Sequence, residues 1–178
     1  ERLLTVVSDM FLETHKNVQS IAVPITSSGE IDIIALQHGV KVLKTRNSHL
    51  AMMEAASNKN VRFIGGTKGG FIFSDFFFAT DAMYSLAKLL EMMATADKRL
   101  GVFDAEIPRL RSARRAVNCS WEHKGKVMRH IMADTEGKRR DLVDGIKVYF
   151  DGRDEGLSVL LIPDKERPLF HVSAEAED

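Results

Sequence analysis

Apolar residues along the first third of the chain alternate between two periods. Leu3, Leu4, Val7, Met10 and Phe11 follow helical spacing, which predicts an amphipathic helix over residues 2–15. A β-branched run from Val18 to Val23, stopped by Pro24, predicts a strand. Ser27 or Ser28 then stands ready to cap a helix whose inner face carries Ile31, Ile34, Ala35 and His38, with Gly39 as its stop. The cycle repeats with a strand at 40–43, a helix capped by Asn47 or Ser48 and running to Ala56, and a strand at 61–64. After the glycine-rich run 65–70 and Phe71-Ile72-Phe73, Thr80-Asp81 caps a long helix to Ala96, with Met83, Leu86, Ala87, Leu90 and Met93 expected against the core. Beyond a connector at 97–108 the order changes to a strand at 111–119, a helix at 121–134, and strands at 145–150, 157–162 and 168–175. In that helix Val127, Met128 and Ile131 are the expected inner face. Asp151-Gly152-Arg153-Asp154-Glu155-Gly156 joins the first two of the last three strands. The expected fold is a three-layer α/β unit over 1–96, then a small α+β domain over 97–178 with an antiparallel four-stranded sheet.

Composition narrows the class of function. The 178 residues are 44% hydrophobic with 25 Lys+Arg against 25 Asp+Glu, which excludes a wholly disordered chain. Zero formal net charge argues against a surface built to grip nucleic acid or an anionic membrane. No apolar run approaches the roughly 20 residues of a membrane span. The single cysteine, Cys119, forms no internal disulfide, and the cytoplasm is the expected compartment. The chain opens at Glu1 directly into a helical pattern, which reads as a cut from a longer protein.

Six short segments, in order, carry a resemblance. They are Lys44-Thr45-Arg46-Asn47-Ser48-His49; Gly65-Gly66; Phe71-Ile72-Phe73 followed by Asp81-Ala82 and Leu89-Leu90-Glu91; Asp144-Gly145-Ile146-Lys147-Val148; Pro163; and Pro168-Leu169-Phe170 with Glu175-Ala176. Together they resemble the C-terminal half of the α-D-phosphohexomutases, the phosphomannomutase/phosphoglucomutase family. Residues 1–96 resemble most of that family's third domain and 97–178 its fourth, phosphate-binding domain.

The resemblance implies a sugar-phosphate site, and the departures from it imply an eroded one. Arg46 and His49 survive in the segment that opens a helix in the family. In the sugar-binding loop the family's Glu falls on Thr67, its Ser on Gly69 and its His on Phe71. In the phosphate loop its Arg becomes Ile162, its Ser Asp164, its Gly Lys165 and its Thr Glu166. A phosphate dianion wants N–H donors, hydroxyls and a bidentate Arg, and Asp164 and Glu166 place like charge beside it. Arg46, His49, Lys68, Lys165 and Arg167 are therefore the expected substrate-binding residues. No catalytic residue and no metal ligand is assigned within the chain. The family's phosphoserine and Mg2+ loops belong to domains upstream of Glu1, so Mg2+ is expected only with those domains.

Three functions follow as expectations. The first is a catalytically incomplete phosphomannomutase-like region that binds mannose 1-phosphate or glucose 1-phosphate, or scaffolds an attached nucleotidyltransferase domain of the mannose-1-phosphate guanylyltransferase type. The second is part of a working mutase whose nucleophile lies upstream. The third is an interaction module using the same fold, with the phenylalanines of 73–78 as a contact. The remaining candidates have plainer readings. His123 and His130 share a helix face without a carboxylate or cysteine cluster. Cys119 reads as a small hydrophobe. Arg109, Arg111, Arg114, Arg115 and Lys138-Arg139-Arg140 read as solvated charge.

Overall fold

The computed structural model describes residues 1–150 and 157–176, so the 151–156 connector lies outside the described residues. Two compact units divide the chain, Glu1–Arg109 and Leu110–Asp178. The first runs α1 (Arg2–Thr14), β1 (Ser20–Pro24), α2 (Glu30–Gln37), β2 (Lys41–Thr45), α3 (His49–Ala56), β3 (Val61–Gly65), β4 (Phe71–Phe73), α4 (Ala82–Ala96) and α5 (Leu100–Glu106). The second runs β5 (Arg111–Asn118), α6 (Trp121–Asp134), β6 (Arg140–Asp141), β7 (Ile146–Tyr149), β8 (Ser158–Pro163) and β9 (Leu169–Ala176).

In the first unit the sheet order is β2-β1-β3-β4, with β1 parallel to both β2 and β3 and β4 antiparallel to β3. Strand alternation sorts the side chains into two cores. Ile21, Phe63 and Phe73 line up across the sheet on one face and pack with Met10 and Phe11 of α1, Ile31 and Ile34 of α2, Met92 of α4 and Phe103 of α5. Ala22, Ile64 and Ile72 form the opposite row and pack with Met52 and Ala56 of α3. Helices on both faces make the three-layer α/β arrangement. Phe63 is fully buried, with ring centroids 5.1 Å from Phe11 and 5.4 Å from Phe73. Its burial contributes about 2 to 3 kcal/mol.

Three parts of this unit differ from the sequence reading. The α1 helix is buried nearly all round, Thr5 and Ser8 included, because α2, α4 and α5 cover the sides that the sheet does not. On α4 the buried stripe is Ser85 and Met92 with half-buried Tyr84, Leu89 and Met93, whereas Met83, Leu86, Ala87 and Leu90 are exposed. The helix is apolar on two sides, and periodicity alone chose the wrong one. Residues 97–109, assigned from sequence to the second domain, fold with the first: Phe103 is fully buried there, and Arg2 of α1 bonds both the side chain and the backbone carbonyl of Asp104.

The second unit is an antiparallel sheet of order β5-β9-β8-β7-β6. Among the described residues it has five strands rather than the four expected. The extra edge, β6, lies in the charged run Lys138 to Asp141, which has no apolar alternation to betray it. It is held by register with Val148 and Lys147 and by Tyr149 Oη donating to Asp141 Oδ2 at 2.7 Å. Ile146, Val148, Leu160 and Phe170 are buried in this sheet, and Val127, Met128 and Ile131 of α6 are half-buried.

Candidate functional site

Two loops carry the residues expected to meet an anion, one in each unit. In the first unit the chain leaves β2 at Thr45 and turns, with the Ser48 N–H donating to the Arg46 carbonyl at 3.0 Å. Ser48 is extended and its Oγ accepts the Ala51 N–H at 3.2 Å, which starts α3 and makes His49 the first helical residue. Across from it, β3 and β4 are joined by a tight turn over 66–70. Gly66 N–H donates to the Gly70 carbonyl at 3.0 Å, and Gly69 N–H to the Gly66 carbonyl at 3.1 Å. Gly69 and Gly70 hold φ of +99° and +82°, a region side chains disfavour.

Helix α3 and this turn lie against each other. A Cβ on Gly66 would stand 3.3 Å from Met52 Sδ, and one on Gly70 would stand 3.9 Å from His49 Cε1. His49 and Met52 are three apart, so one face of α3 supports the turn with Met52 and borders it with His49. Lys68 is exposed within the turn, and Arg46 is exposed on the approach to the helix. The neighbouring Lys44 is committed elsewhere, with its Nζ 2.7 Å from Asp32 Oδ2 in a half-buried pair. The structure thus brings His49 and the glycine turn together, with Arg46 three residues ahead on the same segment.

In the second unit, Lys165 and Arg167 sit in the 164–168 loop between β8 and β9. Each faces a carboxylate: Lys165 Nζ lies 3.6 Å from Asp144 Oδ1, and Arg167 Nε lies 3.5 Å from Asp164 Oδ2. Asp164 organises the loop. Its Oδ1 accepts the N–H groups of Glu166 and Arg167, both at 2.8 Å, and its Oδ2 lies 2.8 Å from His171 Nε2. The Glu166 N–H, then His171, then the Arg167 N–H and charge hold its pKa down at about 2 despite partial burial. From α6, the Lys124 ammonium donates to the carbonyls of Asp164, at 2.6 Å, and of Arg167, while lying 3.8 Å from the Trp121 ring centroid.

Sequence reasoning missed Lys124, His171 and the part played by Asp164. Pro163-Asp164 was a usable signal, since an Asp after a strand-ending Pro commonly bonds N–H groups two and three residues on. Nothing in the sequence marked Lys124, because a lysine on an amphipathic helix reads as solvated.

The other candidates take structural parts. His123 Nδ1 pairs with Ser120 Oγ at 2.7 Å beside the α6 N-terminus. Arg140 donates to the Met132 carbonyl at 2.6 Å near the C-terminus of α6. Lys138 and Arg139 lie over the rings of Phe150 and Tyr149. Phe73 is buried, while Phe76, Phe77 and Phe78 are more than half exposed. Among the described residues no group of three or more His, Cys, Asp or Glu side chains is placed to hold a metal ion together. Nor is any described helix long and apolar enough to cross a membrane.

Residues 1–109 match the family model for the α/β/α domain III of phosphoglucomutase/phosphomannomutase. A probable phosphoglucosamine mutase of Methanocella arvoryzae is 31% identical over 161 residues, covering 89% of this chain and 35% of the relative. A phosphoglucomutase/phosphomannomutase of Thermococcus kodakarensis is 28% identical over 154 residues, covering 86% and 33%. Among solved structures, a phosphoglucomutase/phosphomannomutase family protein from Burkholderia thailandensis superposes with a TM-score of 0.74 at 18% identity, covering 99% of this chain and 37% of that one. An N-acetylphosphoglucosamine mutase of Aspergillus fumigatus, solved with GlcNAc-6P and magnesium, gives 0.66 at 11% identity, covering 99% and 43%. The chain spans about a third of the length of the curated relatives it matches. With more than half its residues inside the domain III match, it belongs to the phosphoglucomutase/phosphomannomutase family.

Proposed function

We propose that the chain is the hexose-phosphate-binding C-terminal part of a sugar-phosphate mutase, and that Arg46, His49 and Lys68 hold the ligand. The observation that carries this reading is His49 at the start of α3 against the 66–70 turn, within the stretch that matches the family model. N–H groups at a helix start and a glycine turn that admits close approach suit an anionic oxygen, and two neighbouring cations add charge. Lys165 and Arg167 are given no part, because their charges face Asp144 and Asp164. The relatives named above are mutases, which favours this reading over a scaffold for an attached nucleotidyltransferase.

Calorimetry of the chain with glucose 1-phosphate, mannose 1-phosphate and glucosamine 1-phosphate tests it. Arg46→Ala and His49→Ala should each weaken binding by about tenfold, the worth of one charge-assisted hydrogen bond. Equal affinity in wild type and both variants would remove the assignment. The reading as an interaction module draws on the exposed Phe76, Phe77 and Phe78. Self-association in sedimentation, abolished by Phe77→Ser, would favour it.

A further inference from the structure

Strand β5 is the least covered element of the second unit. All of its residues, Arg111 to Asn118, are exposed, the apolar Val117 among them. It stands at one end of the sheet order β5-β9-β8-β7-β6, so among the described residues β9 alone pairs with it. The opposite edge, β6, has two residues, both half-buried. Of the usual ways to blunt a sheet edge, β5 has neither shortness nor cover; it has charge.

The ladder defines what this edge offers. The Cys119 N–H donates to the Pro168 carbonyl at 2.8 Å, one step beyond the pairing of Asn118 with Leu169. Bonded pairs alternate in an antiparallel ladder. Ala113, Arg115 and Val117 therefore bond β9, and Ser112, Ala116 and Asn118 turn their main-chain groups outward.

Charge selects what can add there. Arg111, Arg114 and Arg115 place three cations within five positions. Set antiparallel against a second copy and centred on itself, the strand brings Arg114 opposite Arg115, or one of them opposite its own copy. Like charges directly opposite destabilise a strand pair. An incoming strand with carboxylates at alternate positions meets the same arginines with opposite charge.

We propose that β5 is a docking edge for an extended acidic segment of another protein, which lengthens the sheet by one strand. Outward groups of Ser112, Ala116 and Asn118 supply the new ladder, and the arginines select an acidic partner over a second copy. None of these residues belongs to the first unit, so the edge is independent of the ligand roles given to Arg46, His49 and Lys68.

Amide hydrogen exchange of the whole chain, read by two-dimensional NMR, tests it. The probe is an acetylated eight-residue peptide of alternating glutamate and valine, with lysine in place of glutamate in the control. At about ten times its dissociation constant, the glutamate peptide should slow exchange at Ser112, Ala116 and Asn118 by about tenfold. The effect should be smaller at Ala113 and Val117, and the lysine peptide should protect none of them. Ala116→Pro removes one outward donor and none of the bonds to β9, and should weaken binding by about tenfold. Arg115→Glu covers the case in which the proline variant loses its fold. It should cut the preference for the glutamate peptide by about fivefold. Equal protection by both peptides, protection by neither, full binding by a folded Ala116→Pro chain, or an unchanged preference in Arg115→Glu would overturn the proposal. So would protection without peptide that rises with protein concentration, which would make a second copy the occupant.

Discussion

A single carboxylate, Asp164, shows how a residue's surroundings become a pH dependence. Its folded-state pKa is held at about 2, below the 3.8 of an unperturbed Asp, by N–H donors and His171. A carboxyl depressed in the folded state adds stability that is fully present above its unfolded pKa. That stability is lost as pH falls through the folded one. Asp164→Asn keeps a side-chain acceptor for the Glu166 and Arg167 amides but removes the charge. The wild type should therefore exceed the Asn variant in stability by a constant margin above about pH 5, shrinking as pH falls toward about 2. Denaturant midpoints of both proteins across that range are the measurement, and a margin independent of pH would contradict the prediction.

At the scale of elements, α4 separates helical periodicity from burial. Met92 is 1% exposed, whereas Leu86 and Leu90 are 55% and 59% exposed. Met92→Ala should cost about 2 to 5 kcal/mol in urea unfolding, and Leu86→Gln or Leu90→Gln about 0.5 kcal/mol or less. The reverse ranking would restore the face that the periodicity favoured. Much of the fold was legible because local signals and tertiary packing agree. Ser48 and Asp81 cap the helices their positions announced, and Gly39, at φ +66°, ends α2. The face of α4 was not legible, since two apolar stripes fit one helix and only the neighbouring layers choose between them. The charged edge strand β6 was hidden for a related reason: its pairing with β7 defines it, not its composition. At the candidate site, the glycine turn and His49 stood out in sequence. The filling of the 164–168 loop did not, because it depends on Lys124 and His171 arriving from other elements.

For the molecule as a whole, the proposed function separates binding from chemistry. Phosphoryl transfer proceeds by positioning plus neutralisation of charge, so it needs a nucleophile held in line and a strong electrophile, commonly Mg2+, on the phosphoryl oxygens. The described residues place exposed cations and a glycine turn near the start of α3, which suits holding an anion. The chain also spans about a third of the length of its mutase relatives. On the reading proposed above, the expected outcome for the 178-residue chain is binding of glucose 1-phosphate without its isomerisation. Phosphorus NMR of glucose 1-phosphate, incubated with the chain and Mg2+, should show its signal broadened or shifted by binding but no second phosphomonoester resonance growing with time. A second resonance whose rate of growth scales with protein concentration would place the reacting groups within these residues and overturn the separation argued here.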